Sequence, residues 1–220
     1  MQIPIIKLLD VTMSYENNTI FSNVNLEIQS GEIIAAKGTI GSGKTTLLNL
    51  ICGIMKPDSG RIYIDKYDIT KLPSDKLSTL RAKIFGIVPQ KTNLVPELSI
   101  SQNLELPLMF SSIDKNKRQS IVNQTLDKLG LISFSDRLAG TLSVGESEIV
   151  SIARSMVNDP PILLMDEPTE GLDPIISEMI LSLIRGDSIM NQKTVFITTH
   201  DERIFNIANK VIQVKKNMDL

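Results

Sequence analysis

Apolar residues along this chain follow two periods. Short continuous or alternating apolar runs at residues 5–11, 24–28, 33–37, 61–65 and 85–88 predict β-strands. Turn-forming residues separate them, as in Glu16-Asn17-Asn18 and Lys56-Pro57-Asp58-Ser59-Gly60. Between residues 91 and 157 the period lengthens. Apolar positions recur at three- and four-residue spacing over 101–110, 115–129 and 143–158, which predicts helices. Residues 158–220 return to alternating strands and helices. The continuous apolar runs at 161–165 and 194–199 predict strands of a parallel sheet covered on both faces. The pattern as a whole predicts one α/β domain over 1–220: a core of residues 1–90 and 158–220, interrupted by a helical insert at 91–157.

Against that pattern, Gly38-Thr39-Ile40-Gly41-Ser42-Gly43-Lys44-Thr45 fills the form G-x-x-x-x-G-K-[ST], between a predicted strand at 32–37 and a predicted helix at 44–52. The glycines let the backbone curl so that successive N–H groups face phosphate oxygens. Lys44 supplies a point charge for the β- and γ-phosphates, and the Thr45 hydroxyl can ligate Mg²⁺. Strand, loop and helix N-terminus together form an anion site. The chain therefore reads as binding a nucleoside triphosphate. The run Ile162-Leu163-Leu164-Met165-Asp166-Glu167 predicts a buried strand ending in two carboxylates. Asp166 can hold Mg²⁺, and Glu167, one residue further, can polarise an attacking water. His200, the single histidine, follows the apolar run Val195-Phe196-Ile197-Thr198-Thr199. It falls at the C-terminal end of a strand, the edge where open α/β sheets bind ligands.

Composition narrows the setting. The 220 residues suffice for one large domain, and the 42% hydrophobic and 22% charged contents are ordinary for a globular protein. A net charge of −2 offers no basic footprint for nucleic acid, and the run Lys115-Asn116-Lys117-Arg118 reads as a solvated helix start. The one cysteine, Cys52, lies on the apolar face of the helix after the phosphate loop and reads as a small buried hydrophobe, compatible with a reducing compartment. The N-terminal run Met1-Gln2-Ile3-Pro4-Ile5-Ile6-Lys7 lacks the basic and long apolar regions of a signal peptide. No uncharged apolar run approaches the ~20 residues of a membrane span, so a membrane role requires a partner as anchor.

With these motifs placed, the chain resembles the ATP-binding cassette (ABC) ATPases from Val11 to Lys215. Tyr15 matches the aromatic residue that stacks on adenine. Gly38 to Thr46 match the phosphate loop. Gln90, after Ile87-Val88-Pro89, matches the glutamine that touches Mg²⁺ and the attacking water. Leu142-Ser143-Val144-Gly145-Glu146 matches the family signature, usually Leu-Ser-Gly-Gly-Gln. Asp166 and Glu167 match the second nucleotide motif and its catalytic glutamate, Gly171-Leu172-Asp173 the loop that crosses to the partner subunit, and His200 the switch histidine. The resemblance implies a P-loop NTPase core with a parallel sheet, an antiparallel β subdomain and an inserted α-helical subdomain carrying the signature. It implies the cofactors ATP and Mg²⁺, the metal being held by Thr45, Gln90 and Asp166. It also implies a head-to-tail dimer, because each ATP lies between one subunit's phosphate loop and the other's Ser143, Gly145, Glu146 and Asp173. The partner is then a second copy, or a similar ATPase in a heterodimer.

The segment from Leu94 to Leu108, with Pro96, Leu98, Asn103, Leu104, Pro107 and Leu108, is similar to the lipoprotein-release, macrolide-export and cell-division group of that family. The expected protein is the ATP-hydrolysing subunit of an ABC transporter, cytoplasmic and peripheral on the inner face of the membrane. Lys44, Gln90, Glu167 and His200 are its catalytic residues, and a groove near residues 90–110 passes motion to an integral membrane subunit. A regulatory ABC ATPase that signals without transport is the alternative. Five positions depart from the usual pattern: Ile40, Val144, Glu146, Ile149 and Glu170.

Overall fold

The computed structural model describes residues 4–16, 18–110, 113–186 and 193–216. Asn17 of the predicted turn and residues 1–3 of the N-terminal run lie outside them. In chain order the elements are β1 (Ile6–Tyr15), β2 (Asn18–Ile28), β3 (Ile33–Lys37), α1 (Lys44–Ile51), β4 (Ser59–Ile64), β5 (Tyr67–Asp68), α2 (Ser74–Ile84), β6 (Phe85–Val88), α3 (Ile100–Met109), α4 (Lys115–Lys128), α5 (Val144–Met156), β7 (Ile162–Asp166), α6 (Pro174–Arg185), β8 (Thr194–Thr198), α7 (Glu202–Phe205) and β9 (Lys210–Gln213). Contacts divide the chain into two compact units, residues 1–81 with 192–220, and residues 82–191.

The first unit contains an antiparallel sheet in the order β2-β1-β4-β5. Ile6 faces Ile28 on one side and Ile64 on the other, and all three are fully buried. Alternation along β1 buries Ile6 and Leu8, slips by one residue at the register shift between Leu8 and Val11, and resumes with Val11 and Met13 buried, as a sheet with one covered face requires. The unit also contains parallel pairing, with β3 between β8 and β9. Every residue of β8 is buried, as are Ile34, Ala35 and Ala36 of β3, which explains why neither sequence alternates.

In the second unit β6 pairs in parallel with β7, Val88 opposite Met165. Helices α3, α4 and α5 share a core of Ile100, Leu104, Leu108, Val122, Leu126, Val150, Ala153 and Val157. Each Ile, Leu and Val of this core contributes roughly 1.5–3 kcal/mol of burial. A capping box between Ser99 and Gln102 starts α3. Asn103, fully buried inside that helix, accepts from the Val95 N–H and donates to the carbonyls of Val95, Leu98 and Ser99. The asparagine of the 94–108 pattern thus ties down the segment leading into α3. Helix α2 escaped the sequence pattern for a physical reason: none of its residues is buried, so no apolar stripe marks it.

Candidate functional site

In the first unit the phosphate loop joins β3 to α1. Gly43 caps α1 with φ 101°, a left-handed conformation, and a Cβ there would lie 2.7 Å from Ile20 Cγ2 and 2.8 Å from Phe21 Cζ. Glycine is therefore required by both backbone and packing. No side chain caps α1, and its first turn carries no acid, so nothing in the helix opposes an incoming anion. Lys44 Nζ donates to the carbonyls of Gly38 at 2.8 Å and Thr39 at 3.4 Å. Ser42 Oγ is buried and has no hydrogen-bond partner among the described residues, the state of a group that a ligand oxygen would satisfy. Ile40 stands fully exposed on the loop, next to Gly41. Thr45 is exposed and Thr46 half-buried on α1. The Thr199 N–H donates to Ala36 O at 3.0 Å. Because β8 runs parallel to β3, exposed His200 leaves the same strand edge as the phosphate loop. Tyr15 ends β1 about half exposed, and its hydroxyl donates to Met55 Sδ at 3.0 Å.

In the second unit, β6 and β7 likewise run parallel, so Gln90 and the Asp166–Glu167 pair leave one edge. Asp166 and Glu167 are buried, and Glu167 sits at φ 51°, a left-handed conformation that costs a non-glycine residue of order 1 kcal/mol or more. Gln90 Nε2 donates to Glu170 Oε2 at 2.7 Å. Asp173 caps α6, accepting from the N–H groups of Ile175 and Ile176 at 2.9 and 3.0 Å. At α5, Ser143 Oγ accepts from the Glu146 N–H at 3.2 Å, and Glu146 Oε2 accepts from the Ser143 N–H at 2.8 Å. Arg137 Nη1 donates to Glu146 Oε1 at 2.7 Å. That guanidinium, with the Ser143 N–H second, holds the Glu146 carboxyl down at about 2. Two residues on, burial pushes Glu148 up to about 7.

A family model described as ABC transporter matches residues 21–170. The chain is 35% identical over 219 residues to the lipoprotein-releasing system ATP-binding protein LolD of Saccharophagus degradans, covering 98% of this chain and 96% of that protein. It is 33% identical to the macrolide export ATP-binding/permease protein MacB of Vibrio parahaemolyticus, covering 96% of this chain and 33% of that longer protein. The chain belongs to the ABC transporter family. Its fold matches the dimeric post-hydrolysis structure of the ATP-binding cassette MJ0796, bound to ADP and Pi, with TM-score 0.87, 35% identity and coverage of 96% and 94% of the two chains. This cassette is an ATP-binding, ATP-hydrolysing subunit of a transporter. Among the described residues, no helix is long and apolar enough to cross a membrane.

The departures in this cassette acquire physical readings. Val144, where the first signature glycine usually stands, is 74% exposed, so its side chain meets no obstacle. Gly145 is buried, and a Cβ there would lie 3.0 Å from the Ile176 side chain of α6, a contact tight enough that Ile176 would have to give way by a few tenths of an ångström. Ile149, where arginine is usual, is 5% exposed and fits its apolar surroundings as an uncharged side chain. Sequence reasoning missed Arg137, which reaches Glu146 across the tight turn Ala139–Thr141. It also missed the pairing of Gln90 with Glu170, separated by 80 positions. For Arg137 the only signal was opposite charge near the signature, and for Gln90 there was none.

Proposed function

We propose that two copies of this cassette close head to tail on two Mg·ATP and drive an integral membrane subunit from the inner face of the membrane. The chain then acts as a single ATPase domain, with residues 1–90 and 158–220 as nucleotide-binding core and 91–157 as helical insert. The observation that carries it is the start of α1: a glycine-capped, acid-free helix end beside an orphaned buried serine hydroxyl and a lysine folded onto the loop. This is a ready cradle for phosphate oxygens. Tyr15 presents a ring to adenine, and Lys44 neutralises charge on the β- and γ-phosphates. Glu167 accepts a proton from the attacking water, while His200 and Gln90 align that water with the γ-phosphate. Thr45, Gln90 and Asp166 supply the hard oxygen donors that Mg²⁺ prefers, and the metal would offset phosphate charge in the transition state. Ser143, Gly145, Glu146 and Asp173 meet the nucleotide of the second copy. The likeness to LolD and MacB supports a membrane partner of the lipoprotein-release or macrolide-export type.

Glu167→Gln tests this reading. The amide cannot take the proton yet removes a negative charge near the γ-phosphate. Hydrolysis should fall by roughly 10²-fold or more while Mg·ATP binding persists and an ATP-bound dimer accumulates. Steady-state phosphate release and size-exclusion chromatography with and without ATP measure both. A variant that turns over at the wild-type rate and stays monomeric with ATP refutes the role of Glu167.

A further inference from the structure

We propose that Arg137 is a positioning residue of this cassette, neutralising Glu146 so that the signature end of α5 can meet the phosphates of a nucleotide carried by a second copy. The inference rests on the head-to-tail reading above and adds a residue to it.

A helix N-terminus attracts phosphate through its amides and its dipole, and a carboxylate in the first turn competes with that attraction. Helix α5 carries such a carboxylate, Glu146, in its first turn beside Ser143. Glu146 serves its own helix by closing the capping box, and the same contact fixes its negative charge at the signature. Its carboxyl, held at about 2, stays ionised throughout the neutral range, so protonation cannot remove the charge. Only a cation can offset it.

Arg137 is that cation, and it is held from several sides. Its Nη1 reaches Glu146 Oε1 at 2.7 Å and its Nη2 reaches Oε2 at 3.5 Å, a forked contact with both carboxylate oxygens. Nη2 also donates to Thr141 O at 3.3 Å. The guanidinium carbon lies 5.7 Å from the centroid of the Phe134 ring. With side chains 37% and 41% exposed, the pair adds little to folding stability, so stability does not account for the arrangement. Its consequence is local. It cancels the one acid in the first turn of the signature helix, at short range where solvent screening is weakest. Once a second copy covers the signature and excludes water, an uncompensated carboxylate there would repel phosphate far more strongly than it does in the exposed monomer.

A double-mutant cycle on the full chain tests this, with ATPase turnover, Mg·ATP affinity of the monomer and thermal unfolding as readouts. Arg137→Ala should lower turnover roughly tenfold and leave monomer affinity within about twofold, because the uncompensated charge acts only at closure. In a Glu146→Gln background, Arg137→Ala should change turnover by less than about twofold, because no charge remains to offset. Arg137→Lys keeps the charge but loses the fork, and turnover should lie between wild type and Arg137→Ala. It also keeps the test open if the alanine variant unfolds. An equal loss in both backgrounds, or no loss in either, overturns the inference. Ser143→Arg serves as the control. If it abolishes turnover while Arg137→Ala is silent, only the role of Arg137 fails. If Ser143→Arg is itself silent, the head-to-tail reading fails.

Discussion

Helices α1 and α5 both begin at glycine-containing motifs expected to meet phosphate, yet their first turns are built in opposite ways. Helix α1 starts at left-handed Gly43, with no side-chain cap and no acid in its first turn. Helix α5 starts at Ser143 in a closed capping box, with Glu146 in its first turn and Arg137 across it. The first helix end is left for an incoming anion. The second has largely satisfied itself within one chain, and its carboxylate is offset by a neighbour. The same dipole physics operates at both ends, but only α1 is arranged to recognise a nucleotide unaided. That asymmetry is what a cassette needs if the phosphate loop binds ATP in the monomer and the signature contributes only once a second copy arrives.

Disabling each helix end separately and then mixing the products separates their roles. Lys44→Ala should weaken Mg·ATP binding by about a hundredfold or more, since the phosphates lose their cation. Ser143→Arg should leave monomer binding intact and abolish turnover, by filling the signature with bulk and charge. In a mixed dimer of the two variants, one site carries both defects and the other neither, so ATPase activity absent from each alone should return. Titration of monomeric chains and ATPase assays of the mixture check this, and an inactive mixture that still crosslinks across the interface would contradict completion in trans.

A smaller effect separates the two glycine positions. Gly43→Ala must accept φ 101° and a Cβ within 2.8 Å of Phe21, so it should cost roughly 1–3 kcal/mol of stability and loosen ATP binding. Val144→Gly, at an exposed position, should stay within about 0.5 kcal/mol in stability. Thermal unfolding of both variants decides, and equal losses would mean that the two helix ends are packed alike.

The smallest effect is pH-dependent and belongs to α5 alone. Burial raises Glu148 from its usual value of 4.5 to about 7, so the folded chain keeps a proton that the unfolded chain releases. Stability attributable to this group therefore falls as pH rises from 4.5 through 7 and is level above that. Glu148→Gln removes the fall. Its unfolding curve should match wild type near pH 4 and show a gain on the order of 1 kcal/mol by pH 8, after discounting for the solvent that still reaches the carboxyl. A difference independent of pH would exclude Glu148 as the cause.

Much of this was legible in the linear chain, because it rests on local chemistry. The bounds of β3 and β6 coincide with their apolar runs, and α1 follows directly from the glycine loop. Asp166, Glu167 and His200 fall at strand ends because each follows a continuous buried run. The motif order pointed to the family that the comparisons establish. What the linear chain did not hold was pairing at a distance. Helix α2 buries nothing and so leaves no periodic trace. Asn103 reads as a polar interruption of α3 until the Val95–Ser99 backbone folds against it. Val144 and Gly145 are neighbours in sequence, yet one faces solvent and the other meets Ile176. Arg137 is one arginine among several until a tight turn brings it onto Glu146. Residue type and short-range period were enough to mark most buried strands, the helix after the phosphate loop and the reactive groups, but not a helix such as α2 that buries nothing. Which charges are offset, which glycines have a neighbour pressed against them and which polar groups are satisfied were set by the fold, because those depend on what it brings within a few ångströms.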